Sequence, residues 1–266
     1  GSCSSCLLKL DLENTKGVTD AAMLIVARQC PRLTALGLGR VHLRSSTIVE
    51  VCALCPGIQH LELFGLSSVR DETIQGVVSH LAQLQSINLQ QCASLTNIAL
   101  LHLAHRKSTL EAIYVDLGGF LLENRVFELL DQCPKLTTLG INTAHLDIFN
   151  MSDNLSFARV SRLTKLSLRS VFVVDEILLN VAEHCVKLQC LDLRNTSYDY
   201  LRGYVPSFSR VGLLAVVQNC PALHTLVVVP SYSYDPAADA AEFVSLRPGL
   251  SIVPDSALCL FDVVKM

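Results

Sequence analysis

Two pairs of cysteines, Cys3 with Cys6 and Cys52 with Cys55, stand at the C-x-x-C spacing that supplies half of a tetrahedral zinc site. A third arrangement, His184 beside Cys185, brings together a thiol nucleophile and a base. The rest of the chain argues against both chemistries. Cys55 and Cys185 fall at a position that recurs along the sequence, Cys52 falls on the apolar face of a predicted helix, and Cys3 lies near the chain start. Neighbours in a chain need not face each other, so His184 and Cys185 do not make a dyad by adjacency. No glycine loop that would cradle phosphate and no serine nucleophile elbow is present. The expectation is a binding protein and not an enzyme, with no catalytic residue, no metal and no cofactor.

The recurring position belongs to a unit that sets the whole organisation. Cys30-Pro31-Arg32-Leu33-Thr34-Ala35-Leu36-Gly37-Leu38 returns as Cys55-Pro56-Gly57-Ile58-Gln59-His60-Leu61-Glu62-Leu63, as Cys133-Pro134 leading to Leu136, Leu139 and Ile141, and as Cys220-Pro221 leading to Leu223, Leu226 and Val228. Marking the last apolar residue of each predicted strand gives Leu12, Leu38, Leu63, Leu89, Val115, Ile141, Leu168, Leu193, Val228 and Ile252, at intervals of 26, 25, 26, 26, 26, 27, 25, 35 and 24. Alternation such as Leu36-x-Leu38 suits a strand with one buried face, and the run from Asp20 to Gln29 has helical spacing. Thr19 and Thr96 are placed to cap helix starts. Each helix is expected to stop near its Cys-Pro pair, because proline disfavours helical geometry in the residue before it. Successive strands then run parallel. Short strands stacked inside and wider helices outside curve the stack, so the strands line its concave surface.

The unit Ile87-Asn88-Leu89-Gln90-Gln91-Cys92-Ala93-Ser94-Leu95-Thr96-Asn97 resembles the cysteine-containing leucine-rich repeats of F-box/LRR proteins, the substrate receptors of cullin-type ubiquitin ligases. Val18-Thr19-Asp20 and the Cys-Pro pairs belong to the same pattern, and the resemblance covers essentially the whole chain. Val186 replaces the proline once, and the position filled by Cys92 holds Thr15, Val41, Leu66, Gly118, Ala144, Val171, Thr196 and Ser231 elsewhere. The resemblance implies a right-handed α/β leucine-rich-repeat horseshoe, with parallel strands on the concave face and helices on the convex face. It also implies substrate recognition in a ubiquitin ligase. The repeats start at about Leu7, so an F-box, or another docking domain, is expected upstream, and the open first repeat calls for further chain or a partner. The alternative is a non-ligase scaffold in a cytoskeletal or cell-cycle assembly. An enzyme or small-anion receptor would need a convergent basic or nucleophilic pocket.

Composition narrows the partners. With 266 residues, half of them apolar and 17% charged, the chain can bury a large core. The single domain expected over 1–266 has about ten repeats, an insertion at 197–207 and a C-terminal cap over 246–266. A net charge of −3 gives no general attraction to nucleic acid or acidic membranes. The most apolar stretch, Val211 to Val229, is broken by Gln218, Asn219, Pro221 and His224, so no membrane span is read. Eleven cysteines, several at one repeat position, suit buried thiols in a reducing cytoplasmic or nuclear setting.

The interval of 35 marks the insertion, Ser197 to Ser207, directly after the eighth strand. Five of the six tyrosines, Tyr198, Tyr200, Tyr204, Tyr232 and Tyr234, fall in the loops after strands eight and nine, with Arg194 and Arg202 close by. Tyr and Arg are enriched where binding energy concentrates, and long insertions in regular arrays serve function. Tyr198, Tyr200, Arg202, Tyr204 and Tyr232 are therefore candidate partner contacts, while Phe208 aligns with a core position. Concave strand residues add Phe64, Tyr114, Arg169, Asp192 and Arg194, of which Phe64 and Tyr114 are expected to stand exposed. Acidic residues such as Asp11, Glu13 and Glu62 mark the first half of this face and Lys165, Arg169 and Arg194 the second, a polarity that would orient a protein partner.

Overall fold

A strand of three to five residues with alternate apolar side chains cannot stand alone; it needs a neighbour on its hydrogen-bonding edges and a helix over its apolar face. In the computed structural model, which describes residues 6–104, 108–116, 130–142, 157–169, 173–194, 208–228 and 236–253, each described strand pairs in parallel with a neighbour and an α-helix follows most of the strands. The chain divides into two compact units. The first holds β1 (Lys9–Asp11), β2 (Ala35–Gly37), β3 (His60–Glu62), β4 (Ser86–Leu89) and β5 (Ala112–Asp116), paired parallel in chain order. Between them lie helices α1 (Asp20–Gln29), α2 (Ser45–Leu54), α3 (Asp71–His80) and α4 (Asn97–Ala104). The second holds β6 (Thr138–Asn142), β7 (Lys165–Arg169), β8 (Cys190–Asp192), β9 (Thr225–Val227) and β10 (Ser251–Val253), again parallel and in order, with helices α5 (Asp175–His184), α6 (Arg210–Asn219) and α7 (Pro236–Leu246). This is the α/β leucine-rich-repeat fold that the spacing predicts. One marker shifts: Ile252 lies opposite Leu226 and not Val228, so the last repeat keeps the step of 26 and does not shorten to 24.

Leu36, Leu61, Ile87 and Ile113 in the first unit, and Leu139, Leu166, Leu191 and Leu226 in the second, are at most 1% exposed. Phe208 is buried, as its alignment requires. The helices end at the repeated cysteine, before a proline at Cys30, Cys55 and Cys220 and before Val186 at Cys185; these are the C-cap residues of α1, α2, α6 and α5. Their thiols also reach back. Cys55 Sγ donates to the carbonyls of Cys30 at 3.4 Å and Ala27 at 3.5 Å, and Cys220 Sγ donates to that of Cys185 at 3.5 Å. Each ties its own helix end to that of the preceding repeat, adding a second donor to carbonyls that already accept a backbone amide. Arg247 stands at the cysteine position of the last described repeat, and its guanidinium donates to the carbonyls of Val217, Gln218 and Pro221 instead.

Helix starts are joined across repeats by carboxylates. Asp71 accepts from the amide and hydroxyl of Thr96, and Asp175 accepts from the amide and hydroxyl of Ser209 and from the amide of Gly212. Thr96 and Ser209 in turn accept from the amides of Ile98 and Val211, so each is held between two helices. A cap of this kind contributes about 1 kcal/mol.

Gly212 is needed for this contact. A Cβ there would stand 2.5 Å from Asp175 Oδ1 and 2.9 Å from Leu178 Cδ1. Gly212→Ala, which in an exposed helix would gain about 1 kcal/mol, is expected here to cost about 1–3 kcal/mol through overpacking and the displaced carboxylate. A rise in the urea midpoint of that variant would show the contact to be loose.

Candidate partner-binding face

Residues between the core positions of each strand lie on the sheet face turned away from the helices. In the first unit this open face is set by register: Lys9, Ala35, His60, Ser86 and Ala112 form one row, and Asp11, Gly37, Glu62, Asn88 and Tyr114 the next. The second strand is nearly bare, for β2 and its continuation offer only Ala35, Gly37 and Gly39. Side chains from both flanks lean over it, and a Cβ on Gly39 would meet Glu13 Cγ at 2.8 Å and Phe64 Cβ at 3.6 Å. Asp11 and Glu13 are exposed and Glu62 is half-buried. Among the described residues no Lys or Arg side chain pairs with any of these three carboxylates.

Burial pushes the Glu62 carboxyl up to about 7; the Asn88 side chain opposes this by hydrogen bonding, while the charges of Glu13 and Asp11 add to it. Burial also lowers the His60 imidazole, and the nearby Lys9 acts in the same direction against Glu111. Two buried polar atoms of the same row lack a hydrogen-bond partner, His60 Nδ1 and Ser86 Oγ.

At the edge of this face the chain leaves each strand through a left-handed residue: Asn14 (φ 57°), Arg40 (φ 58°), Gly65 (φ 71°) and Gln91 (φ 57°). The turn aims each amide at the next repeat, Asn14 to the Gly39 carbonyl, Arg40 to that of Phe64 and Gly65 to that of Gln90, while Gln91 donates to the Asp116 carboxylate. Arg40 lies back over Gly65, where a Cβ would stand 2.9 Å from its Cγ. Its guanidinium sits 4.6 Å above the Phe64 ring and donates to Gln91 Oε1. Phe64 is half-buried, so its ring is partly available beside the carboxylates.

Tyr114 differs from expectation. On β5 it is only 6% exposed, so its ring is not available at the surface. In the second unit Asp192 and Arg194 are also buried, and they engage each other: Arg194 Nε and Nη2 reach the two carboxylate oxygens at 3.1–3.3 Å, the Arg194 amide donates to Oδ1, and Ser167 donates to Oδ2. Arg194 therefore spends its charge internally, and the simple acid-to-base polarity along the strands weakens. Of Arg169 only the backbone in β7 is described. Tyr198, Tyr200, Arg202, Tyr204 and Tyr232 lie outside the described residues, as do the 197–207 insertion and residues 254–266. The burial of Glu62 and the Arg40–Phe64 stack escaped sequence reasoning. The run Ala35-x-Gly37-x-Gly39, three small residues at consecutive inner positions, was the signal that could have pointed to them.

The thiols do not build a reactive site. Cys52 is pushed up to about 12 and Cys55 to about 11 by burial, and Cys185 to about 12. Among the described residues no group of three His, Cys, Asp or Glu side chains is placed to hold a metal ion, and no helix is long and apolar enough to cross a membrane.

No family model matches the chain. It is similar to a chain of the yeast Rad7 and Elc1 complex, at 16% identity and a TM-score of 0.60 over 96% of this chain and 73% of that one. An internalin from Listeria monocytogenes is more distant, at 12% identity and a TM-score of 0.36 over 96% of this chain and 88% of the internalin. Among curated proteins, the Caenorhabditis elegans "Putative RNA-binding protein EEED8.10" is 22% identical over 200 residues, which are 74% of this chain and 27% of that protein. The chain thus spans about a quarter of the length of that relative. The likeness to the Rad7 and Elc1 structure bears on the fold, and with the parallel repeats it defines the class as α/β leucine-rich-repeat.

Two measurements check the electrostatics. Ellman's reagent at pH 8 is expected to leave Cys55 and Cys185 unmodified until denaturant is added, since a thiol with so high a pKa holds almost no thiolate; prompt reaction of either in the folded chain would contradict its burial. For Glu62 the sign follows from linkage: the folded carboxyl keeps its proton where the unfolded one has lost it, so folding stability contributed by this group falls as pH rises from about 4.5 to about 7. The urea midpoint of the wild type should therefore drop relative to that of Glu62→Gln across this window, and parallel curves would refute the raised value.

Proposed function

We propose that this chain is a protein-recognition domain that takes its partner on the open strand face and on the loops after strands eight and nine. The observation that carries this reading is the first unit's open face, where Asp11, Glu13, Glu62 and the Phe64 ring stand outside the core. Carboxylates that no Lys or Arg pairs with among the described residues are a cost to the isolated fold, and a partner of complementary charge offsets it. The finer assignment is substrate recognition in an F-box/LRR-type ubiquitin ligase, in a reducing cytoplasmic or nuclear compartment. Its supports are the repeat resemblance, the unbridged cysteines among the described residues and the likeness to a structure in which Rad7 is in complex with Elc1. A non-ligase scaffold is the competing assignment. An F-box in the full-length polypeptide, with ligase subunits recovered by affinity purification and mass spectrometry, separates the two.

The name of the C. elegans relative suggests RNA binding as another reading. The acidic open face and the net charge of −3 speak against it, because phosphate backbones are held by surplus Lys and Arg.

The double substitution Tyr200→Ala with Tyr204→Ala should abolish partner capture in a pull-down and leave the melting temperature nearly unchanged. A large fall in melting temperature would assign those rings to the fold instead.

A further inference from the structure

We propose that the chain's own segment 254–266 lies across the inner sheet face of the second unit and occupies it as an internal ligand, its apolar side chains seated over Val227 and the Asp192–Arg194 pair. The inference goes beyond the protein-recognition reading above and does not depend on it.

The observation that carries it is burial where a bare sheet face does not provide it. Cys190, Asp192 and Arg194 on β8 and its continuation, Ser167 on β7, and Thr225 and Val227 on β9 alternate with the core leucines, so they point away from the helices. All six are at most 7% exposed. On the first unit, Lys9 and Asp11 of β1 are exposed, and His60, Glu62 and Asn88, on strands flanked from both sides, are half-buried. Flanking strands alone therefore leave such side chains partly wet. No described helix or strand forms a layer above β7, β8 and β9, for these strands lie against one another and against β6 and β10.

The chemistry of the buried row is a second, independent observation. Val227 is an apolar side chain on the face opposite the core, and it is 1% exposed. Asp192 and Arg194 form an ion pair closed off from water on that same face. Withdrawing two charges from water is costly. A pair so placed calls for something that displaces the water above it and offers apolar surface to the neighbouring valine.

The sequence after β10 has that character. Leu258, Leu260, Phe261, Val263 and Val264 lie within thirteen residues, and leaving one such side chain in water forfeits about 1.5–3 kcal/mol. Its reach is sufficient. From β10 to β7 is three strand spacings, about 14 Å, which extended chain spans in about five residues. Residues 143–156, 195–207 and 229–235 each run from a strand end back to the helix layer, whereas no described element draws 254–266 that way. The exposure of β10 fits an entry from its side: Ser251 is exposed, Val253 is half-buried, and burial is complete by Val227.

Two experiments on the full chain test this. With Phe261→p-benzoylphenylalanine, irradiation should join position 261 to peptides from β7, β8 or β9 of the same molecule, mapped by mass spectrometry. Adducts confined to the helices, adducts to a second molecule, or none would overturn the inference. The second experiment follows alkylation of Cys190 by iodoacetamide. Leu260→Asp with Phe261→Asp should raise its rate about tenfold or more by opening the cover, while Cys185, in the core, stays protected as the internal control. Unchanged protection of Cys190 would overturn the inference and assign the cover to another segment. Where the double variant unfolds, shown by alkylation of Cys185 as well, the photochemical adduct decides alone.

Discussion

Each repeat leaves backbone groups open that only its neighbour can close. The strands are too short to be stable singly, so the carbonyl and amide groups of β3 are satisfied by β2 on one edge and β4 on the other. Side chains tie the helix ends as well, for Asp71 holds the cap of the next helix and Cys55 Sγ adds a bond to carbonyls of the preceding one. Burial of the leucine rows supplies most of the stabilisation, but hydrophobic contact alone would tolerate slippage. The directional bonds fix the step at one repeat, and everything that lies on the open face inherits its position from that step.

Because the step is fixed, the face can hold arrangements that a softer scaffold would relax. In the first unit, carboxylates flank a strand that presents only Ala35, Gly37 and Gly39, and the chain keeps Glu62 there although burial, and then Glu13 and Asp11, raise its proton affinity. In the second unit the comparable positions are resolved internally, with Arg194 clasping Asp192 in a buried pair. One stretch of inner face is left electrostatically open and the other is closed upon itself. The difference follows from residue choice at equivalent positions, on the same backbone.

Much of the fold was legible because its signal is repeated. Leucines two apart, Cys-Pro at the helix ends and threonine at the starts recur often enough that single departures, such as Val186 or Arg247, do not obscure the period. The open face was less legible. Alternation correctly placed Glu62 and Phe64 on it, but burial there depends on which side chains occupy the adjacent strands, and those lie about 26 residues away in sequence. Tyr114 was expected to stand exposed and is buried, and Arg194, read as part of a basic stretch of the face, is paired with Asp192 two residues earlier. The left-handed Arg40 was beyond pattern reading altogether, since arginine gives no hint of a positive φ.

The strand and turn bonds between repeats run in both directions, as at Asn14 and Arg40, but the contacts that tie helix ends together through Thr96, Ser209 and the cysteines share a polarity along the chain. At Thr96, Ser209, Cys55, Cys220 and Arg247 the donor belongs to the later repeat and the acceptor to the earlier one. A polypeptide made from its amino end thus presents finished carboxylates and carbonyls before the groups that will seek them have left the ribosome. At these helix ends a new repeat arrives to acceptors already laid down, so that part of the assembly advances in the direction of synthesis.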